Sequence, residues 1–385
     1  MIYNLQFQLM LDKLFSLFSY DIGIDLGTAN TLVWVKGKGI VIREPSVVAM
    51  HKKTKKTIAI GTEAKKMLGK TPANIITVKP LKGGVIADFD ATLAMITHYI
   101  QNIHEVGKIV PTIFSRPRVV IGIPSGVTEV ERRAVWEAAL NAGAREAFLI
   151  EESMASAIGE NVSVFAPTGI MVVDIGGGTT EIAVISLGGI VVGKSLKIAG
   201  DNMDSAIAHY IRLKHGLLIG EKTAEDLKIT IGSAYAKGPR PKTHTVESPV
   251  GLSGQNLIGV EKNESGEKVA IVRGRDIETG LPKSLKVTEV EVREALAPVL
   301  TQIINAVAEI LEESPPELTS DVLEHGVLLT GGGSKLPGFD KLIVERIHIP
   351  VIPSEDPLTS VVRGTGKVLE DDALLQRVKV IGGLQ

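Results

Sequence analysis

The sequence predicts an α/β protein made of two related halves that face each other across a cleft. Three observations carry this prediction. Short β-rich runs alternate with helical segments along the whole chain. The stretch Asp25-Leu26-Gly27-Thr28-Ala29-Asn30-Thr31 returns as Asp174-Ile175-Gly176-Gly177-Gly178-Thr179-Thr180, each copy following one β-branched strand and preceding another. The composition, 44% hydrophobic and 22% charged with 40 glycines, suits packed cores rather than disorder. At roughly 100 to 200 residues per domain, 385 residues give room for two to four such units.

The elements follow in chain order. Tyr20 to Asp25 and Thr31 to Val35 read as strands around a turn, and Gly37-Lys38-Gly39 turns the chain into Ile40 to Ile42. Val119 to Ile123 is a strand closed by Pro124-Ser125-Gly126. Thr128 with Glu131 then has capping-box spacing and starts a helix that ends near Asn141-Ala142-Gly143. Ile170 to Val173, Glu181 to Ser186 and Ile190 to Val192 repeat the strand-and-hairpin pattern. The Gly-, Pro- and charge-rich section from Pro239 to Lys286 reads as hairpins with an exposed loop. Val287 to Glu313 reads as mostly helical, interrupted by Pro298 near a helix start and ended by Pro315-Pro316. Val327 to Leu329 is a further buried strand.

Several function classes fall away. A formal net charge of -2 provides no global attraction to nucleic acid, and aromatics at 4% leave few platforms for base stacking. With no cysteine there is no disulfide, thiolate nucleophile or zinc knuckle. G-x-x-x-x-G-K-[ST], a helix-opening G-x-G-x-x-G, H-E-x-x-H and G-x-S-x-G are all absent. No uninterrupted apolar run reaches the roughly 18 to 20 residues of a spanning helix. The N-terminus nevertheless carries an apolar stripe at helical spacing, Phe7, Met10, Leu11, Leu14, Phe15 and Phe18, without the basic start and cleavage site of a signal peptide. Such a helix either docks on the protein's own core or lies in a membrane interface.

The repeated turns carry the chemistry. Glycine lets backbone N–H groups approach a phosphate, and Thr and Asn side chains add neutral donors. An Asp closing a buried strand beside each turn is placed to hold Mg²⁺ through water, because that ion keeps much of its hydration shell. Asp25 and Asp174 form this pair. A third cluster, Thr330-Gly331-Gly332-Gly333-Ser334, again follows a strand and lets backbone lie close to a flat or anionic ligand.

In this order the three turns resemble the phosphate 1, phosphate 2 and adenosine motifs of the superfamily of actin, sugar kinases and heat-shock chaperone ATPases. More narrowly, Gly23 to Thr31, Arg43-Glu44-Pro45-Ser46-Val47, Gly84-Val85-Ile86-Ala87-Asp88, Val172 to Glu181 and Thr279-Gly280-Leu281-Pro282 are similar to the bacterial actin MreB family, over about residues 20 to 375. The resemblance implies an actin-like, duplicated ribonuclease H-like fold of two lobes, each of two subdomains, around a central nucleotide cleft. It places subdomain IA at 20–48, 83–164 and 353–380, IB at 49–82, IIA at 165–200 and 288–352, and IIB at 201–287, after an N-terminal amphipathic helix at 1–19. ATP or ADP with Mg²⁺ is the implied cofactor. Gly27, Thr28, Ala29 and Asn30 with Gly176, Gly177 and Gly178 would wrap the phosphates. Glu225, Asp226, Leu227 and Lys228 would lie by the ribose and adenine, and Gly331, Gly332, Gly333 and Ser334 beneath the adenosine. Glu152 would orient the attacking water, Thr179 would assist, and Glu151 would be a bystander.

The same resemblance implies a slow ATPase that assembles into antiparallel double protofilaments on the inner face of the cytoplasmic membrane. Its partners would be membrane proteins of the cell-elongation machinery. Membrane contact would use the stripe from Phe7 to Phe18 together with Ile113 and Phe114. The chain departs from the family pattern at Ser153, where Pro is usual, which predicts a less rigid backbone after Glu152, and in a longer stretch from about His244 to Lys268. A small-molecule kinase of the same superfamily is the alternative, although no sugar-binding insert or substrate base is legible. No peptide-binding domain follows the core, which disfavours a chaperone.

Overall fold

The computed structural model describes residues 19–105, 116–235, 259–262 and 266–380. The Phe7 to Phe18 stripe, Ile113 and Phe114, and most of the stretch from His244 to Lys268 lie outside the described residues.

Two five-stranded sheets form the frame, and they are built alike. In the first, Ile22–Leu26, Asn30–Val35 and Gly39–Pro45 run antiparallel, while Arg118–Ile123 and then Glu146–Glu151 join in parallel on the free side of Ile22–Leu26. In the second, Ile170–Ile175, Thr180–Ser186 and Gly189–Leu196 run antiparallel, and Val327–Thr330 and Val351–Pro353 join in parallel beside Ile170–Ile175. The repeat seen in the sequence is therefore a repeat of topology. Asp25 pairs with Leu32 on one side and Gly122 on the other, and Asp174 correspondingly with Glu181 and Thr330.

The parallel strands are apolar almost throughout because helices cover both faces of each sheet. Val119, Val120 and Ile121 are fully buried, as are Met171, Val172 and Val173. One core fills each half. A third apolar cluster joins the halves: Val120 and Ile150 of the first sheet and Val172, Ala183 and Leu328 of the second meet around Met154 and Ala155 of helix Glu152–Gly159 and Val361 and Val368 of helix Ser360–Glu370.

A smaller unit caps each half. Val48–His51 pairs with Thr57–Ile60 and Ile75–Val78 beside helix Thr62–Met67. In the other half, Lys268–Asp276 pairs with Leu217–Leu218, Gly259–Lys262 and Pro282–Thr288, packed against helices Gly200–His215 and Glu221–Ile231. Helix Glu129–Asn141 begins with the expected reciprocal cap, Thr128 Oγ1 accepting from Glu131 N at 3.2 Å and Glu131 Oε2 from Thr128 N at 2.8 Å.

Two local expectations change. Val287 and Thr288 end a strand, and the helix runs from Glu289 to Glu313 without a break at Pro298. Pro298 costs only the partner of the Glu294 carbonyl, which lies on the exposed side of the helix, while Val292, Leu296, Val299 and Leu300 keep the buried face continuous.

Candidate functional site

The turns after Asp25 and Asp174 touch. A Cβ added at Gly177 would stand 2.5 Å from Ala29 Cβ, and one at Gly178 would stand 2.6 Å from Thr28 Oγ1. Only glycine permits the second turn to close so tightly on the first. The third turn joins them from below: Gly331 has φ of 83°, and a Cβ there would meet Asp174 Oδ1 and the Ile175 carbonyl at 2.4 Å each. Thr330 Oγ1 donates to Ser360 Oγ at 2.6 Å, tying this turn to helix Ser360–Glu370.

Together the three turns enclose a cavity of about 500 Å³, within the range of small-molecule and cofactor sites. Asp25, Gly27, Thr28, Ala29, Asn30, Glu152, Asp174, Gly176, Gly177, Gly178, Thr179, Glu225, Lys228, Gly331, Gly332 and Gly333 all line it. Asp226, Leu227 and Ser334 do not. On helix Glu221–Ile231 positions 225, 228 and 229 share one face, so Leu227 turns into the core, where it is fully buried, and Asp226 faces away. Ser334 folds back, its Oγ donating to the Gly331 carbonyl at 2.7 Å.

Sequence reasoning passed over other residues of the wall. Asp201, Met203, Asp204, Pro357 and Leu358 line the cavity. Lys228 Nζ is occupied by Asp204 Oδ1 at 2.8 Å and the Gly200 carbonyl at 3.1 Å. Glu181 was also missed, although an acid inside the apolar run Thr180–Ser186 is a readable signal. It is 1% exposed and accepts from Ser195 Oγ at 2.6 Å and from Ser125 N at 3.0 Å.

Asp25, Glu152 and Asp174 line the cavity, and Glu181 stands off it but close enough for its charge to act on Glu152. Burial raises Asp25 to about 8, with the neighbouring Asp174 charge adding to it; burial raises Glu181 to about 7 and Asp174 to about 6, the latter opposed by Ser156 Oγ donating to Asp174 Oδ2 at 2.6 Å. Glu152 is also held well above the usual carboxyl range, by burial first and then by Glu181, Asp25 and Asp174. Glu151 lies off the cavity, half-buried, with Arg132 partly offsetting its desolvation. Ser153 is fully buried within an intact first helical turn, its Oγ 3.5 Å from Ser125 Oγ.

Among the described residues no basic side chain offsets the charge of Asp25, Glu152, Asp174 or Glu181, and the glycine turns leave room that a Cβ would fill. The combination fits a bound cation with an anionic ligand. Among the described residues no group of three or more His, Asp or Glu side chains is arranged to hold a metal alone. At such a site Mg²⁺ would need water and phosphate to complete its shell.

A duplicated sheet pair whose glycine turns close on one cavity defines an actin-like protein. The MamK double helical filament shares this fold, with a TM-score of 0.70 at 22% identity over 92% of this chain and 99% of that one. Two solved forms of Spiroplasma citri MreB5 match at TM-scores of 0.80, bound to ADP, and 0.79, bound to AMPPNP, at 35% and 36% identity, each covering 93% of this chain and 98% of the other. The MreB/Mbl protein family profile matches residues 19–253 and 253–377. The cell shape-determining protein MreB of Escherichia coli K12 is 48% identical over 94% of this chain and 96% of its own length, and Mbl of Bacillus subtilis 44% identical over 94% and 100%. The chain belongs to the MreB/Mbl family.

Proposed function

We propose that this chain is a cell-shape filament protein that binds ATP or ADP with Mg²⁺ in the cleft and hydrolyses ATP slowly as it assembles. The convergence of the Asp25 and Asp174 turns on one cavity carries the reading, supported by the nucleotides bound to the Spiroplasma citri relative and the shape-determining role of the curated relatives. The filaments would be antiparallel pairs on the inner face of the cytoplasmic membrane, working with membrane proteins of the elongation machinery. The subdomain boundaries given above, and membrane contact through Phe7 to Phe18 with Ile113 and Phe114, belong to the same proposal.

Each part of the site has a task. Gly27 to Asn30 and Gly176 to Gly178 hold the phosphates between the halves, Glu225 and Lys228 face the sugar, and Gly331 to Gly333 form a floor for the base. Asp25 and Asp174 would hold Mg²⁺, which supplies neutralisation of phosphate charge when bound. Glu152 stands at the first position of its helix, where the dipole favours the anion and opposes the cost of its burial. With a cation bound nearby to favour its ionised form, its carboxylate would accept a hydrogen bond from water and aim it, while Thr179, 6% exposed, fixes the other side of the pocket. Placement of this kind is the main demand of phosphoryl transfer.

Calorimetric titration with ADP and with AMPPNP, with and without Mg²⁺, tests the binding step. Micromolar or tighter binding that weakens at least tenfold in Asp174→Asn is expected. Glu152→Gln should keep nucleotide affinity within about threefold yet lose most phosphate release, since only placement of the water is altered. Liposome sedimentation and electron microscopy of filaments with Mg-ATP test assembly. A persistent monomer that phosphorylates a sugar or acid would turn the reading into the kinase alternative.

A further inference from the structure

The two halves also meet at the mouth of the cavity, through charge. Residues 49–82 carry nine lysines and a single acidic residue, Glu63. Two of those lysines cross to the opposite half. Lys65, on helix Thr62–Met67, donates to both carboxylate oxygens of Glu225, at 3.3 and 3.1 Å. Lys79, just after strand Ile75–Val78, lies 3.2 Å from Glu221 Oε2 and 3.8 Å from Asp201 Oδ1. The adjacent Lys66 instead pairs with Glu63 of its own helix at 2.6 Å, so the crossing is a property of particular lysines and not of the helix as a whole.

The acidic ends of these pairs belong to the cavity wall. Glu225 and Asp201 line it. Glu221 shares helix Glu221–Ile231 with Glu225, and Asp201 N donates to the Gly177 carbonyl at 2.7 Å, which couples it to the second phosphate turn. All five side chains keep partial contact with solvent, from 34% exposed at Glu225 to 77% at Glu221. Each pair alone is therefore weak and open to screening by salt. Acting together at the rim, they share one fate, because parting the mouth breaks all three.

We infer that Lys65 and Lys79 form an ionic clasp across the mouth of the cavity, holding Glu225 and Asp201 in place and slowing release of bound nucleotide. They are positioning residues: neither lines the cavity. The inference rests on the nucleotide-binding reading and specifies how that site is closed. Lysine suits the task, since its compact charge on a flexible stem can break and remake a pair as the rim moves.

The test is stopped-flow release of fluorescently labelled ADP from the full-length protein with Mg²⁺, at ionic strengths of about 0.05 and 0.5 M, which bracket strong and weak screening. Wild type is compared with the double variant Lys65→Met, Lys79→Met, which keeps the apolar stems, and with Lys66→Met. Wild-type release should accelerate with salt. The double variant should release three- to tenfold faster at low salt and show little further response, and Lys66→Met should track wild type. Wild-type release that ignores ionic strength overturns the clasp, as does a double variant with wild-type rate and salt response. A wild-type protein that takes up no labelled ADP overturns the nucleotide reading instead.

Discussion

Asp25, Asp174 and Glu181 are each a carboxyl held above its ordinary value by desolvation, and this makes them a measurable load on the ligand-free fold. A group that binds its proton more tightly when folded stabilises the fold fully only below its unfolded value near 4. That contribution is lost as pH rises through the folded values of about 6, 7 and 8, at about 1.4 kcal/mol per unit of separation at most. Ligand-free protein is therefore expected to melt at progressively lower temperature from pH 4.5 to pH 8.5, the reverse of a fold held by salt-bridged carboxylates. Saturating Mg-ADP should flatten that slope, because a bound cation favours the ionised forms. Asp174→Asn should flatten it without ligand. Thermal melts across that range check both, and a slope that Mg-ADP leaves untouched would place the cation elsewhere. Asp25 and Asp174 were legible from the repeat, since Asp followed by a glycine turn is a local pattern. Asp201 and Lys79 were not, because their pairing depends on how separate halves meet.

The helix Glu152–Gly159 shows how an element fixes a residue. Glu152 stands at one end, and at the other a Cβ on Gly159 would come within 2.0 Å of the Ser360 carbonyl. Across the contact, a Cβ on Gly364 would stand 1.8 Å from the Ala155 carbonyl. The two helices therefore pack backbone to backbone. The far end is tied by Lys367 Nζ, donating to the Ile158 and Gly159 carbonyls at 2.8 and 2.7 Å. Glu160 Oε1 accepts from Ser360 Oγ at 2.5 Å and pairs with Arg363. Gly364→Ala should force the helices apart and cost about 1–3 kcal/mol, read as a lower melting temperature. Phosphate release should fall further than ADP affinity, since the shift carries Glu152 away from its place while the glycine turns stay. Equal losses in both would mean the helix does not position Glu152. No sequence pattern exposes this packing: Gly159 and Gly364 look like ordinary helix-weakening glycines until the tertiary contact is seen. Pro298 is the opposite case, a strong local signal that the buried face of its helix overrides.

At the scale of the whole molecule, the sequence announced two halves because the duplicated turn is a contiguous motif, and the sheets prove to share one topology down to the register of Asp25 and Asp174. It did not announce how firmly the halves are joined, since the third apolar cluster draws single residues from segments as distant as Val120, Val172 and Leu328. Fully buried side chains such as Val172, Ala183 and Val368 place this junction among core contacts rather than the polar, mobile interfaces between independent domains. Ion pairs link the halves at the rim, and the third apolar cluster links their sheets. Calorimetry of the ligand-free protein should accordingly show one unfolding transition, with calorimetric and van't Hoff enthalpies in agreement. Mg-ADP at about 100 times its dissociation constant should shift that single transition upward by about 2.7 kcal/mol. Met154→Ala, which removes a 4% exposed side chain from the junction, should cost about 2–5 kcal/mol and broaden or split the transition. Two well-separated transitions in the wild type would show that the halves fold independently and that the cleft is held by the rim alone.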